Sequence, residues 1–162
     1  MIRFLASGFY SGYLPKAPGT WGTLVALPLI LLCYYGHINL LFMTGVIFLV
    51  GWYVSQQLTQ DPASDPDPSY IVIDEIAGMF LTVYLLLHFN IIDRLSEKGL
   101  AISFILFRLF DIWKPWPIGV IDIKLSKIVA LRGFGVMIDD ILAAIWAAIT
   151  MAIFTKIMLY MS

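Results

Sequence analysis

Residues 21–58 read WGTLVALPLILLCYYGHINLLFMTGVIFLVGWYVSQQL and contain no Asp, Glu, Lys or Arg. A helix crossing a bilayer needs about 20 mainly apolar residues, within a range of about 17–25. The run is too long for one crossing and suits two. Gly36-His37-Ile38-Asn39 supplies the break, so the stretch predicts two apolar helices joined by a tight turn. Three more apolar regions follow, from Tyr70 to Phe89, from Leu100 to about Trp113, and from Ile138 to Tyr160. Together they predict an all-α integral membrane bundle of about five helices, forming one domain over residues 1–162. The fourth helix is the shortest, because its uncharged part ends at Arg108. Arg108 and Asp111 therefore lie either at a membrane face or within it, and charge inside a bilayer is costly and marks function.

Composition points the same way. Of 162 residues, 60% are hydrophobic and 13% charged, and mean hydropathy is +0.89. So small a chain exposes much of its surface, and this composition lacks the polar groups to cover it in water. The apolar, aromatic-rich content excludes disorder. A single cysteine, Cys33, excludes a disulfide scaffold. A net charge of -1 with no basic run argues against nucleic-acid binding. The N-terminal residues MIRFLASGFYSGYLPKAPGT have too short and interrupted an apolar core for a signal peptide. They read as part of the mature chain, or as an amphipathic start lying on the membrane surface.

Lys and Arg outside the spans concentrate in the N-terminal segment (Arg3, Lys16) and in the loop after the fourth helix (Lys114, Lys124, Lys127, Arg132). The positive-inside rule places both in the cytoplasm. Five alternating spans then bring four polar groups to that same face. Ser11, Pro15, Lys16, Pro18, Gly19, Thr20 and Gly22 precede or open the first helix. Asp61, Asp65, Asp67, Asp74 and Glu75 lie before or at the start of the third. Arg108, Asp111 and Lys114 lie at the end of the fourth, and Gly133, Gly135, Asp139 and Asp140 at the start of the fifth. The opposite face has only short turns. A binding or catalytic site at the cytoplasmic face is the expectation.

Asp74-Glu75 and Asp139-Asp140 each read as the opening of a helix, where negative charge is favoured, so capping is one reading. Adjacent acids beside apolar runs, occurring twice, are costly unless paired or bound to a cation. With Asp111 there are five carboxylates, and oxygen ligands without nearby His or Cys suit Mg²⁺. Arg108, Asp111 and Lys114 are spaced so that neighbours share a helical face. They form either a local salt-bridge ladder or a grip on phosphate beside the metal. Pro115 and Pro117 end that helix, with Trp113 and Trp116 in the interfacial aromatic belt. Pro18-Gly19-Thr20-Trp21-Gly22 reads as a plain turn or as an anion cradle before a helix. Cys33 reads as packing, and His37 and His88 fall at the outer face, which disfavours Cys- or His-based phosphatase chemistry.

The same residues carry a family likeness. Ser11–Gly22, Ile71–Met79, Phe107–Ile118 and Gly133–Asp140 stand in the order, and with the motifs, of phosphatidylglycerophosphatase A, a bacterial membrane lipid phosphatase that this chain resembles over nearly its whole length. The resemblance implies Mg²⁺-dependent removal of the terminal phosphate of phosphatidylglycerophosphate to give phosphatidylglycerol. It also implies a multi-pass protein of the bacterial inner membrane. On this reading Asp74, Glu75, Asp139 and Asp140 hold one or two Mg²⁺ ions. Arg108, Lys114, Lys16 and Thr20 bind the substrate phosphate. Asp74, Asp140 and Asp111 are the catalytic acids, with Asp111 either a further ligand or the base that orients water. A small divalent-cation transporter is the main rival, since buried carboxylates suit it too, although the first two helices offer no acidic relay. A lipid phosphotransferase and a structural subunit with internal salt bridges are further rivals.

Overall fold

The computed structural model describes residues 1–92 and 94–161, apart from the side chain of Leu159. Among these residues seven α-helices follow in order: α1 (Ile2–Ala6), α2 (Pro18–Tyr35), α3 (Leu40–Thr59), α4 (Ile73–His88), α5 (Glu97–Trp113), α6 (Ile118–Ser126) and α7 (Arg132–Met161). Among the described residues there is no strand, so the fold is all-α. The 36–39 turn separates α2 from α3 as the sequence predicts. Asn39 caps α3, its Oδ1 accepting from Leu41 N at 2.9 Å and Phe42 N at 3.1 Å. Pro18 opens α2, where its missing N–H costs nothing. Ser96 caps α5 by accepting from Gly99 N at 3.1 Å.

α4 is the axle of the bundle. It is apolar on nearly all sides, and Ile73, Ile76, Ala77, Met79, Phe80, Val83 and Leu86 are buried. α2, α3, α5 and α7 all pack on it. Among the described residues three segments are long and apolar enough to cross a membrane: α2, α3 and the run Val129–Met158 that holds most of α7. α4 and α5, with 16 and 17 residues, are shorter. An apolar groove of about 360 Å³ opens between α2 and α3. Its floor is Ile73, Ile76 and Phe80, on the face of α4 turned away from Asp74, Glu75 and Gly78.

Two features differ from the sequence expectation. The loop after α5 contains a helix, α6, which packs on α7. α7 also starts at Arg132, six residues before the expected Ile138, so Asp139 and Asp140 lie two turns inside it. Gly133 reads as loop punctuation, but its role is close packing. A Cβ there would meet the backbone of Gln56 on α3. Gln56 reinforces the contact, accepting from Gly133 N at 2.9 Å and donating to Val129 O at 2.8 Å.

Candidate active site

The polar residues meet at one end of the bundle. Asp74 and Glu75 come from the first turn of α4, Arg108 and Asp111 from the last turns of α5, and Asp139 and Asp140 from α7. Asp74, Asp139 and Asp140 are buried, at 8%, 5% and 2% exposure. One carboxylate oxygen from each of Asp74, Glu75 and Asp140 lies within 4.8 Å of the other two. Asp74 Oδ1, Glu75 Oε2 and Asp140 Oδ2 are buried without a hydrogen-bond partner among the described residues. Buried polar atoms normally find partners, and unpaired buried carboxylates are costly. Three converging carboxylates from two helices, each with an orphaned oxygen, match the hard oxygen donors that a divalent cation requires.

Arg108 borders this cluster. Its Nη1 is 3.7 Å from Glu75 Oε1 and forms an ion pair with Asp111, one turn along α5. Its Nε is buried and has no partner among the described residues. The site's cation therefore keeps a donor free. Gly19, in the first turn of α2, lies against this pair. A Cβ there would collide with Glu75 Oε1 and come within 2.9 Å of Arg108 Nη1. Glycine at this position lets the start of α2 approach the acid–base pair at backbone distance.

Lys114 follows α5 and bridges two elements. Its Nζ donates to Asp122 Oδ2 on α6 at 2.8 Å and forms a shorter contact with Asp139 on α7. Burial works against the ammonium charge, but Asp139 and Asp122 outweigh it and hold the Lys114 pKa above its ordinary value. Asp139 is thus turned to Lys114, while Asp140, one residue on, joins Asp74 and Glu75. Lys16 lies in an exposed turn at φ 63° and has no ion pair among the described residues. Thr20 is half-buried in the first turn of α2. Asp61 and Asp65 close local turns, accepting from Ala63 N at 2.9 Å and Asp67 N at 3.1 Å. Asp67 stands nearer the site. Asp67 is exposed as a residue, but partial desolvation of its carboxyl pushes its pKa up, against the opposing charge of Lys114. His88 stacks on Tyr84, and Cys33 is buried in the core, both apart from the acids.

Sequence reasoning passed over two residues. Asp122 reads as one more loop charge, with nothing in its spacing to link it to Lys114. Arg132 reads only as a cytoplasmic positive charge, yet it is 9% exposed and binds three backbone carbonyls. Its Nη1 donates to Thr59 O at 3.1 Å and Asp61 O at 3.0 Å, and its Nε to Ser126 O at 3.0 Å. It thereby ties the ends of α3 and α6 to the start of α7, where its charge also complements both helix C-termini.

Residues 4–155 match the family model of phosphatidylglycerophosphatase A. A Haemophilus influenzae protein named phosphatidylglycerophosphatase A is 43% identical over 150 residues, covering 91% of this chain and 85% of its own. An Escherichia coli protein of the same name is 35% identical over 149 residues, covering 90% and 78%. A Bacteroides thetaiotaomicron protein with the provisional name phosphatidylinositol-3-phosphatase is 34% identical over 155 residues, covering 92% and 90%. No solved structure matches the chain. With a match running through all four motif stretches and the converging carboxylates, the chain belongs to the phosphatidylglycerophosphatase A family.

Proposed function

We propose that this protein hydrolyses the terminal phosphate monoester of phosphatidylglycerophosphate, releasing phosphate and phosphatidylglycerol, at the cytoplasmic face of a bacterial inner membrane. The observation that carries the reading is the juxtaposition of three orphaned carboxylates, Asp74, Glu75 and Asp140, with the free guanidinium Nε of Arg108. A dianionic phosphate needs positive charge around it and an aligned water. A structural subunit has no use for such unpaired buried charge.

Asp74, Glu75 and Asp140 would hold Mg²⁺, and Asp139 stands beside them. When bound, the cation supplies charge that polarises phosphoryl oxygens and lowers the pKa of a water. Arg108 offers its unpartnered N–H to a phosphoryl oxygen. Asp111, fixed by its ion pair with Arg108, orients the attacking water and takes its proton as oxygen attacks phosphorus. The phosphorus–glycerol oxygen bond breaks, and the glycerol oxygen leaves with a proton from solvent. Lys114, held between Asp122 and Asp139, balances the remaining negative charge at the rim. Lys16 and Thr20, near the start of α2, add contacts to the outer phosphate oxygens. The concentration of Lys and Arg at this end of the bundle supports the cytoplasmic orientation.

The test is product analysis. Purified protein in detergent is given phosphatidylglycerophosphate, and both products are quantified. One phosphate released per phosphatidylglycerol formed supports the reading; intact substrate in the presence of folded protein overturns it.

A further inference from the structure

We propose that α6 is an in-plane interfacial helix, seated in the head-group region of a bilayer containing anionic lipid. α6 has nine residues, a length of about 14 Å, against a hydrocarbon core of about 30 Å, so it does not span. It sits at the charged end of the bundle, fixed to the site by Asp122–Lys114 and to α7 by Leu125, whose Cβ would touch a Cβ at Gly135 at 2.9 Å. Its inner face is Ile118, Ile121, Asp122 and Leu125. Its outer face carries Val120 and Ile123, exposed at 42% and 56%, and Trp116, in the turn just before the helix, is exposed at 78%. Val120 and Ile123 fall at i and i+3 and form an apolar stripe along one side of the helix, which the exposed Trp116 extends from the preceding turn.

An exposed apolar stripe at the polar end of a membrane protein requires a cover. The charge beside it says which. Lys127 continues the stripe one turn on, and Lys124 flanks it. Both are exposed, and neither has an acidic partner among the described residues. A short helix with aromatic and aliphatic residues on one side and unpaired lysines at its edge has the chemistry of a surface-seated segment on an anionic leaflet. A soluble partner protein would have to match both the stripe and the bare lysines, whereas acyl chains and anionic head groups match them together. The seating would also set Lys114 at head-group depth, because Asp122 projects from the opposite side of the same helix.

The test uses the full chain in lipid nanodiscs. Fluorophores are placed at Ile123→Cys, Val120→Cys and Lys127→Cys in a Cys33→Ser background, and folding is checked for each. Acyl-brominated lipid should quench the probes at 120 and 123 several-fold more than the probe at 127. Aqueous iodide should show the reverse order. Lys124→Gln with Lys127→Gln should reduce the bromolipid quenching at 123 in anionic discs while leaving it unchanged in zwitterionic ones. Equal iodide quenching at 123 and 127 overturns the seating. Protection at 123 from both quenchers assigns the stripe to a protein contact and overturns it as well. Quenching that ignores lipid charge overturns the anionic preference.

Discussion

Arg108 on α5 stands with its Nη1 3.7 Å from Glu75 Oε1 on α4, and the two helices reach this pair from opposite directions of the chain. The pair is incomplete by design of its surroundings: Glu75 Oε2 and Arg108 Nε are both left without partners. Arg108→Met should therefore lower kcat/KM by on the order of 10²–10³-fold, the usual cost of removing a charge-stabilising donor. Arg108→Lys should recover only part, because an ammonium lacks the planar fork. Steady-state kinetics with circular dichroism as a folding control measures both.

Asp74→Asn and Asp140→Asn should abolish turnover without lowering the unfolding temperature. Each removes a buried carboxylate with an orphaned oxygen, so relief of desolvation offsets any lost contact. Thermal unfolding in detergent, run beside the phosphate assay, separates the two effects. Asp61→Asn, confined to a local turn, should leave most of the activity.

Gly19→Ala should cut turnover at least tenfold while the protein still folds. The added methyl collides with Glu75 Oε1 at the point where α2 meets the acid–base pair. A fall in kcat without loss of helix content is the expected signature.

Arg132→Ala should destabilise rather than disarm. Three backbone carbonyls at the ends of α3 and α6 lose a charged donor, a loss of at least about 1.5–3 kcal/mol. The unfolding midpoint should drop, while turnover per folded molecule falls much less.

Much of this was legible in the residues. The α2–α3 hairpin follows from a charge-free run interrupted by Gly36-His37-Ile38-Asn39, and hydropathy alone is enough there. The gathering of polar groups at one end follows from counting crossings. What was hidden depends on rotation and packing. Asp139 and Asp140 are neighbours in sequence but about 100° apart around α7, so only Asp140 joins Asp74 and Glu75. Gly133 looks like a loop residue and is a helix-packing residue, which displaced the expected start of α7. α6 reads as loop in the sequence because Pro115 and Pro117 precede it and Asp122 and Lys124 interrupt its apolar residues. Its amphipathic character shows only once Val120 and Ile123 are seen exposed on one side and Ile118 and Leu125 packed on the other.

The most direct measurement is phosphate release from phosphatidylglycerophosphate by the purified protein with Mg²⁺, after excess chelator, and after Mg²⁺ is restored, with Asp140→Asn alongside. The account predicts release that chelator stops, that Mg²⁺ restores, and that Asp140→Asn lacks throughout. Full release in chelator, or near-normal release by Asp140→Asn, would contradict the assignment of the three carboxylates as the cation site.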